Sequence, residues 1–118
     1  MTSNNKIELM APAGNFESLQ AGLDNGADSV YFGVEQLNMR ARATVNFTMD
    51  DLPEIAKRCE AKKVRSYLTL NTIIYDHDLS VVKTLLTKAK EANITAVIAS
   101  DQAVIAMARG IGIEVHIS

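Results

Sequence analysis

The sequence is poor in residues that build covalent or metal-held frameworks. Its 118 residues include one cysteine, two histidines and no tryptophan. A single thiol excludes an internal disulfide and a metal cage made of cysteines. Cys59 falls on the apolar stripe of an expected helix, which favours an inert core thiol over the alternative of a reactive or metal-bound one.

The chain also lacks a large excess of positive or negative charge, and it lacks long apolar runs. The formal net charge is −2, which excludes a broad basic surface for nucleic acid, although a longer parent protein could supply one elsewhere. No apolar run approaches the roughly 18 residues that a membrane span needs. Residues 1–6 are polar and contain no signal-peptide core. The sequence therefore predicts a cytoplasmic protein without a membrane partner.

What is present is an alternation of short β-type runs and amphipathic helices. Strands are predicted at 7–11, 28–33, 64–71, 95–99 and 113–117, with four helices between them. Such alternation is typical of an α/β protein with a parallel sheet and helical crossovers. No helix follows the fifth strand, so we expect 1–118 to be a single amino-terminal portion of a barrel domain whose remainder is absent.

Two architectures fit five strands in a chain of this length, an open flavodoxin-like or receiver-like sheet and a partial (β/α) TIM-type barrel. A receiver is disfavoured, because the first strand ends in Ala11-Pro12 and the third in Asn71, where a receiver has acidic residues. Tyr67 and Thr69 share one face of the third strand, and His116 lies on the polar face of the fifth. A barrel tolerates polar groups on its inner face, so the partial barrel is favoured.

In a barrel of this kind the reaction face is built from the carboxyl ends of the strands and the loops after them. Six residues there are predicted to bind substrate: Asn15, Arg40, Arg42, Asn71, Asp101 and His116. Asn15 precedes a helix amino terminus that could bind a carboxylate or phosphate, or it simply caps that helix. Asp101 is either a helix cap or a polar contact at the reaction face.

The other four candidates also have two interpretations each. Arg40 and Arg42 could clamp a dicarboxylate or a phosphate backbone, or they are solvated or structurally paired loop charges. Asn71 could orient a substrate carbonyl or satisfy its inner-face neighbours. His116 could be a general base or metal ligand, or a buried hydrogen-bonded histidine; His77 is expected in a surface loop. No nucleophile elbow, zinc motif or phosphate loop is present, so catalytic residues and a metal site stay unassigned.

Several stretches together resemble one protein family. They are 8–15 (ELMAPAGN), 26–33 (GADSVYFG), 40–43 (RARA), 46–48 (NFT), 67–72 (YLTLNT) and 114–118 (EVHIS). In this order they resemble the opening of the collagenase-like peptidases, the thirty-second family among peptidases of unknown catalytic type. The resemblance implies a barrel longer than this chain.

For the parent protein, the resemblance implies one of two activities. Some family members are described as proteases, which would make the parent a hydrolase. Others take part in oxygen-independent hydroxylation of tRNA or rRNA bases, using an anionic cosubstrate such as prephenate. Related members hold an iron–sulfur cluster on cysteines that lie downstream of residue 118, so prephenate and a cluster are expected only of the parent, and no cofactor is assigned to this chain.

Three functional hypotheses follow. The parent hydroxylates a tRNA or rRNA base, with Arg40, Arg42, Asn71 and His116 helping to bind the anionic cosubstrate. Alternatively, the parent is a true protease. The third hypothesis is non-catalytic, because open sheet edges at the first and fifth strands would invite a homodimer. The first is favoured for the parent, while the chain alone is expected to be inactive.

Overall fold

The computed structural model describes residues 9–34, 47–70 and 79–117. Within them, five strands and four α-helices alternate. In chain order they are β1 (Met10–Pro12), α1 (Phe16–Asp24), β2 (Ser29–Phe32), a 3-10 turn (Met49–Asp51), α2 (Leu52–Ala61), β3 (Arg65–Thr69), α3 (Leu79–Glu91), β4 (Ala96–Ala99), α4 (Gln102–Ile111) and β5 (Val115–Ile117). The predicted class of five parallel strands and four helices is confirmed.

The order of the strands decides between the two predicted architectures. Every neighbouring pair is parallel, and the strands lie in the sheet in chain order, from β1 to β5. Right-handed crossovers that always step in one direction place every connecting helix on the same side of the sheet. A doubly wound sheet reverses its direction and covers both sides. The described strands show no reversal, so the sheet is a barrel segment rather than a flavodoxin-like sheet.

One face of the sheet packs against the helices and forms the core. Val30, Leu68 and Val97 point to this face and are fully buried. Each helix contributes a buried stripe at helical spacing, for example Leu19 and Leu23 of α1. Removing these side chains from water is the main favourable term in folding, at about 25 cal/mol per Å² of apolar surface. Most of the packing is therefore on one side of the sheet; Tyr67 and Ala96 on the opposite face are also buried but lie outside this cluster.

The single thiol belongs to that core. Cys59 is 1% exposed and lies on the buried stripe of α2 with Leu52, Ile55 and Ala56. Burial, assisted by the nearby Glu60 carboxylate, raises the pKa of the Cys59 thiol to about 11. A thiol that stays protonated and shielded is a poor nucleophile, so its placement agrees with the predicted inert role.

Three local features set the ends of these elements. In the pairing of β1 with β2, the bond to the Tyr31 carbonyl comes from the N–H of Ala13 at 2.9 Å, so β1 can include Pro12, which has no N–H. Gly110 lies inside α4, and Gly112, at φ +95°, ends that helix. The carboxylate of Asp51 accepts from the Thr48 N–H at 2.9 Å and completes a capping box at the start of the 3-10 turn.

The strands are also shorter than predicted at several ends. β3 ends at Thr69 rather than at 71, and β5 begins at Val115 rather than at 113. β1 was predicted from residue 7, but residues 7 and 8 lie outside the described part. Ile113 is buried in the core directly after α4, so its apolar character reflects a tight helix-to-strand turn rather than a strand pair.

Candidate functional site

The candidate site is the inner face of the sheet, which is the face opposite the helices. Residues paired across parallel strands point to the same side of the sheet. The pairing places Tyr31 beside Tyr67, and Thr69, Ile98 and His116 in one row toward the carboxyl ends of their strands. The inner face therefore consists of Met10, Pro12, Ser29, Tyr31, Arg65, Tyr67, Thr69, Ala96, Ile98, Glu114 and His116.

On the inner face, two aromatic rings meet. The centroids of the Tyr67 and His116 rings are 5.1 Å apart, with their planes inclined by 51°. These residues stand on β3 and β5, which are separated by β4. The contact is possible because β4 places the small, fully buried Ala96 beside Tyr67 and leaves room above it. Tyr67 is 8% exposed, so its ring forms a fixed wall of the site.

The imidazole of His116 is also held by a carboxylate. Its Nε2 lies 2.7 Å from Oε2 of Glu114, two residues earlier and on the same face. Both side chains are well exposed, at 45% for His116 and 63% for Glu114. An exposed pair of this kind contributes little to stability. Its effect is therefore on the orientation of the ring rather than on the fold.

Asn15 lies at the carboxyl end of β1 and caps α1. Its side-chain oxygen accepts from the Ser18 N–H at 2.8 Å, and its own N–H donates to the Ser18 hydroxyl at 3.2 Å. The same hydroxyl accepts from the Gly14 N–H at 2.9 Å. These N–H groups therefore already have partners within the chain. A ligand role for Asn15 would compete with the cap and stays a prediction.

Asp101 lies just beyond β4, at the same edge of the sheet, and caps α4. Its carboxylate accepts from the N–H groups of Ala103 at 2.8 Å and Val104 at 3.2 Å. The cap orients the carboxylate toward the helix. The role of Asp101 in binding likewise stays a prediction.

The remaining predicted residues are not placed. Arg40, Arg42 and Asn71 lie outside the described residues, as does His77. The structure therefore brings three of the six candidates, Asn15, Asp101 and His116, to the strands and turns that build the carboxyl edge of the sheet. In a parallel sheet this shared edge is where ligands bind.

Two residues that shape the site were missing from the predicted set. Tyr67 packs against His116, and Glu114 binds it. The alternation of side chains along the strands already placed both on polar faces, and this was the available signal. Alternation does not reveal which side chains of non-neighbouring strands touch, because that depends on register and on the size of Ala96.

The described residues do not fit a resident metal or iron–sulfur cluster. No group of three or more His, Cys, Asp or Glu side chains within 9–34, 47–70 and 79–117 is placed to hold a metal ion. A cluster needs several thiolates, whereas Cys59 is the only cysteine of the chain and lies inside the core. In the same described ranges, no helix is long and apolar enough to cross a membrane.

Comparison with known proteins identifies the family. Residues 14–118 match the model of peptidase family U32. The chain belongs to this family. The resemblance read from the sequence motifs is thereby confirmed.

Relatives within this family have names of two kinds. The chain is 54% identical over 114 residues to a protein of Porphyromonas gingivalis named collagenase. It is 30% identical over 115 residues to tRNA hydroxylation protein P1 of Bacillus subtilis, and 26% identical over 103 residues to the 23S rRNA 5-hydroxycytidine C2501 synthase of Escherichia coli. The matches cover 97%, 96% and 87% of this chain, but only 28%, 27% and 16% of the respective relatives.

A solved structure supports the barrel architecture. The α subunit of tryptophan synthase from Legionella pneumophila, a TIM barrel, superposes with a TM-score of 0.59 at 16% identity. The match covers 95% of this chain and 53% of that subunit. At this identity the likeness concerns the fold alone, and it confirms the predicted TIM-type arrangement of strands and helices.

Proposed function

We propose that this U32-family chain forms part of a barrel enzyme that hydroxylates a base of tRNA or rRNA without molecular oxygen. The proposal rests mainly on two relatives, named for tRNA and 23S rRNA hydroxylation, which match 96% and 87% of the chain. An anionic cosubstrate such as prephenate is part of the proposal, as is a cytoplasmic location, where these RNAs are found.

The inner face has the chemistry that such a substrate requires. An enzyme that acts on a ring atom of a base must take that base out of its stack and hold it in a pocket. Aromatic side chains then replace the lost stacking, at about 1–3 kcal/mol per base. Tyr31, which is 36% exposed, supplies aromatic surface on this face, and His116, beside the buried Tyr67, supplies a polar group.

The binding of the cosubstrate is assigned to the two candidate arginines. A dicarboxylate is best held by guanidinium groups, which can donate two parallel hydrogen bonds to each carboxylate. We assign this role to Arg40 and Arg42, with Asn71 orienting a carbonyl group. The chain alone, which matches about half of the barrel neighbour, is proposed to be inactive without the remainder of such a barrel.

The test uses the full-length protein that carries these residues. Purified protein is incubated anaerobically with tRNA or rRNA transcripts and prephenate, and the digested nucleosides are examined by mass spectrometry for the gain of one oxygen. We expect product only when prephenate is present. Replacement of Arg40 and Arg42 by alanine should abolish it, whereas Arg109→Ala, which removes an exposed arginine on α4, should not. Equal product without prephenate would contradict the cosubstrate assignment, and absence of product from both RNAs would contradict the proposed function.

A protease is the second candidate, favoured by the 54% identity to the protein named collagenase. Under this proposal the full-length protein cleaves collagen. Digestion of collagen by highly purified protein, lost on replacing a single inner-face residue such as His116, would support it. Cleavage that survives every such replacement would point to a contaminating protease.

A further inference from the structure

The Glu114–His116 hydrogen bond is short and well placed, although it contributes little to the stability of the fold. The two side chains are joined at 2.7 Å on the inner face, yet both are largely exposed. They stand next to the buried Tyr67 ring, which limits how the imidazole can turn. A well-exposed histidine gains little stability from such a pair. What the pair does fix is which nitrogen carries the proton and where the ring points.

We propose that Glu114 is a positioning residue that sets His116 as the proton acceptor of the inner-face site. An ionised carboxylate only accepts hydrogen bonds, so it selects the tautomer in which Nε2 is protonated. The Nδ1 lone pair is then free to take a proton from a bound molecule. This inference rests on the proposed function, because the ligand it requires is the ring that is hydroxylated.

Hydroxylation of the ring releases one proton, which needs an acceptor. Hydroxylation replaces a ring C–H bond by a C–O bond. The oxygen comes from an oxygen-bearing anionic cosubstrate, whose bond to that oxygen breaks, and the two electrons that the ring loses pass to the remnant of the cosubstrate. The ring hydrogen leaves as a proton, and Nδ1 of His116 accepts it. The ring is oxidised by two electrons and the cosubstrate is reduced by two, so the electrons of the step balance.

Kinetics of the full-length protein test the catalytic part. A positioned acid or base contributes about 10²–10⁴-fold, so His116→Ala should lower kcat by about that factor, with KM for RNA little changed. Free imidazole should restore part of the lost kcat, which it would not do for a damaged fold. Glu114→Ala should lower kcat at least tenfold, and Glu114→Gln should recover part of that loss because its amide oxygen still accepts from Nε2. Glu60→Ala, at an exposed position of α2, is the matched control and should be neutral.

A spectroscopic measurement tests the geometry independently of activity. In this chain labelled with ¹⁵N-histidine, the ring ¹⁵N chemical shifts of His116 should be those of the tautomer protonated at Nε2, and Glu114→Ala should lower the fraction of that tautomer. The only other histidine, His77, is removed by substitution to assign the signals. A tautomer fraction unchanged by Glu114→Ala, or full kcat in Glu114→Ala, would overturn the inference. If the full-length protein hydroxylates no RNA, the proposed function fails by itself, and the tautomer measurement alone then decides whether Glu114 positions the histidine.

Discussion

Replacing Phe47 tests how much the aromatic part of the core contributes to the stability of the fold. Its ring is 1% exposed and lies edge-on to Phe16, at 5.0 Å between centroids, and to Phe32, at 5.8 Å. The guanidinium of Arg58 covers the Phe16 ring at 4.6 Å. Phe47 is thus the centre of an aromatic cluster that joins α1, α2 and β2. In the sequence it directly follows 35–46, which contain both candidate arginines.

The expected cost of removing this ring follows from its burial. A Phe→Ala substitution in a core costs about 3–5 kcal/mol through lost transfer energy and a residual cavity. Phe47→Leu fills most of the volume but loses two edge-to-face contacts worth about 0.5–1.5 kcal/mol each, so about 1–3 kcal/mol is expected. With a urea slope of about 2 kcal/mol per M, Phe47→Ala should lower the unfolding midpoint by about 2 M.

Equilibrium urea unfolding, followed by far-ultraviolet circular dichroism, measures both variants. The matched control is Tyr31→Ala, which removes an aromatic ring that is 36% exposed on the inner face and should shift the midpoint less than half as far. A Phe47→Ala midpoint no lower than that of Tyr31→Ala would refute the aromatic cluster as a major source of stability. If Phe47→Ala does not fold, the milder Phe47→Leu still gives a measurable shift.

Four further outcomes are expected. Folding raises the pKa of the Cys59 thiol to about 11, so on raising the pH the thiol ionises first in the unfolded chain, from about pH 8.5. The stability contributed by Cys59 should therefore be lost as the pH rises from about 8.5 toward 11. Unfolding measured as a function of pH should show this loss for the unaltered protein and not for Cys59→Ala. Asp101→Ala should cost about 0.5–2 kcal/mol in urea unfolding, and Asp101→Asn much less, because asparagine still caps. Gly112→Ala should lower the melting temperature, since φ is +95° there, whereas Gly110→Ala inside α4 should raise it. Light scattering should show a dimer if the edges at β1 and β5 pair with a second copy; a monomer at all concentrations would reject this pairing.

The fold could be predicted from the sequence because its signals are local. Alternation along a strand has a period of two, so the sequence alone separated Tyr67 and Thr69 from Ser66 and Leu68. The pairing of β3 with β2 and β4 confirms that separation. The polar inner face then favoured a barrel segment, and the strand order agrees with it.

The contacts of the site could not be predicted in the same way. The meeting of Tyr67 and His116 depends on the register of β4 between them and on the small side chain at Ala96. Neither is visible as a local pattern. Asn15 and Asp101 illustrate a second limit, since capping and ligand binding use the same residue types at the same position of a βα turn. A sequence cannot separate these roles, because they differ only in which donor the side chain meets.

The inner face exposes both apolar and polar side chains, and this limits the kinds of ligand that can bind to it. Met10 and Tyr31 expose apolar surface, at 45% and 36%, while Glu114 and His116 present a polar pair on the same face. A purely apolar partner would gain from the first two but would strip water from the pair without replacing its hydrogen bonds, at a cost of several kcal/mol. A planar ring with donors and acceptors at its edge offers both kinds of contact, apolar across its face and polar at its edge. The composition of the inner face therefore favours a ligand of this chemistry, such as a nucleobase, over an aliphatic one.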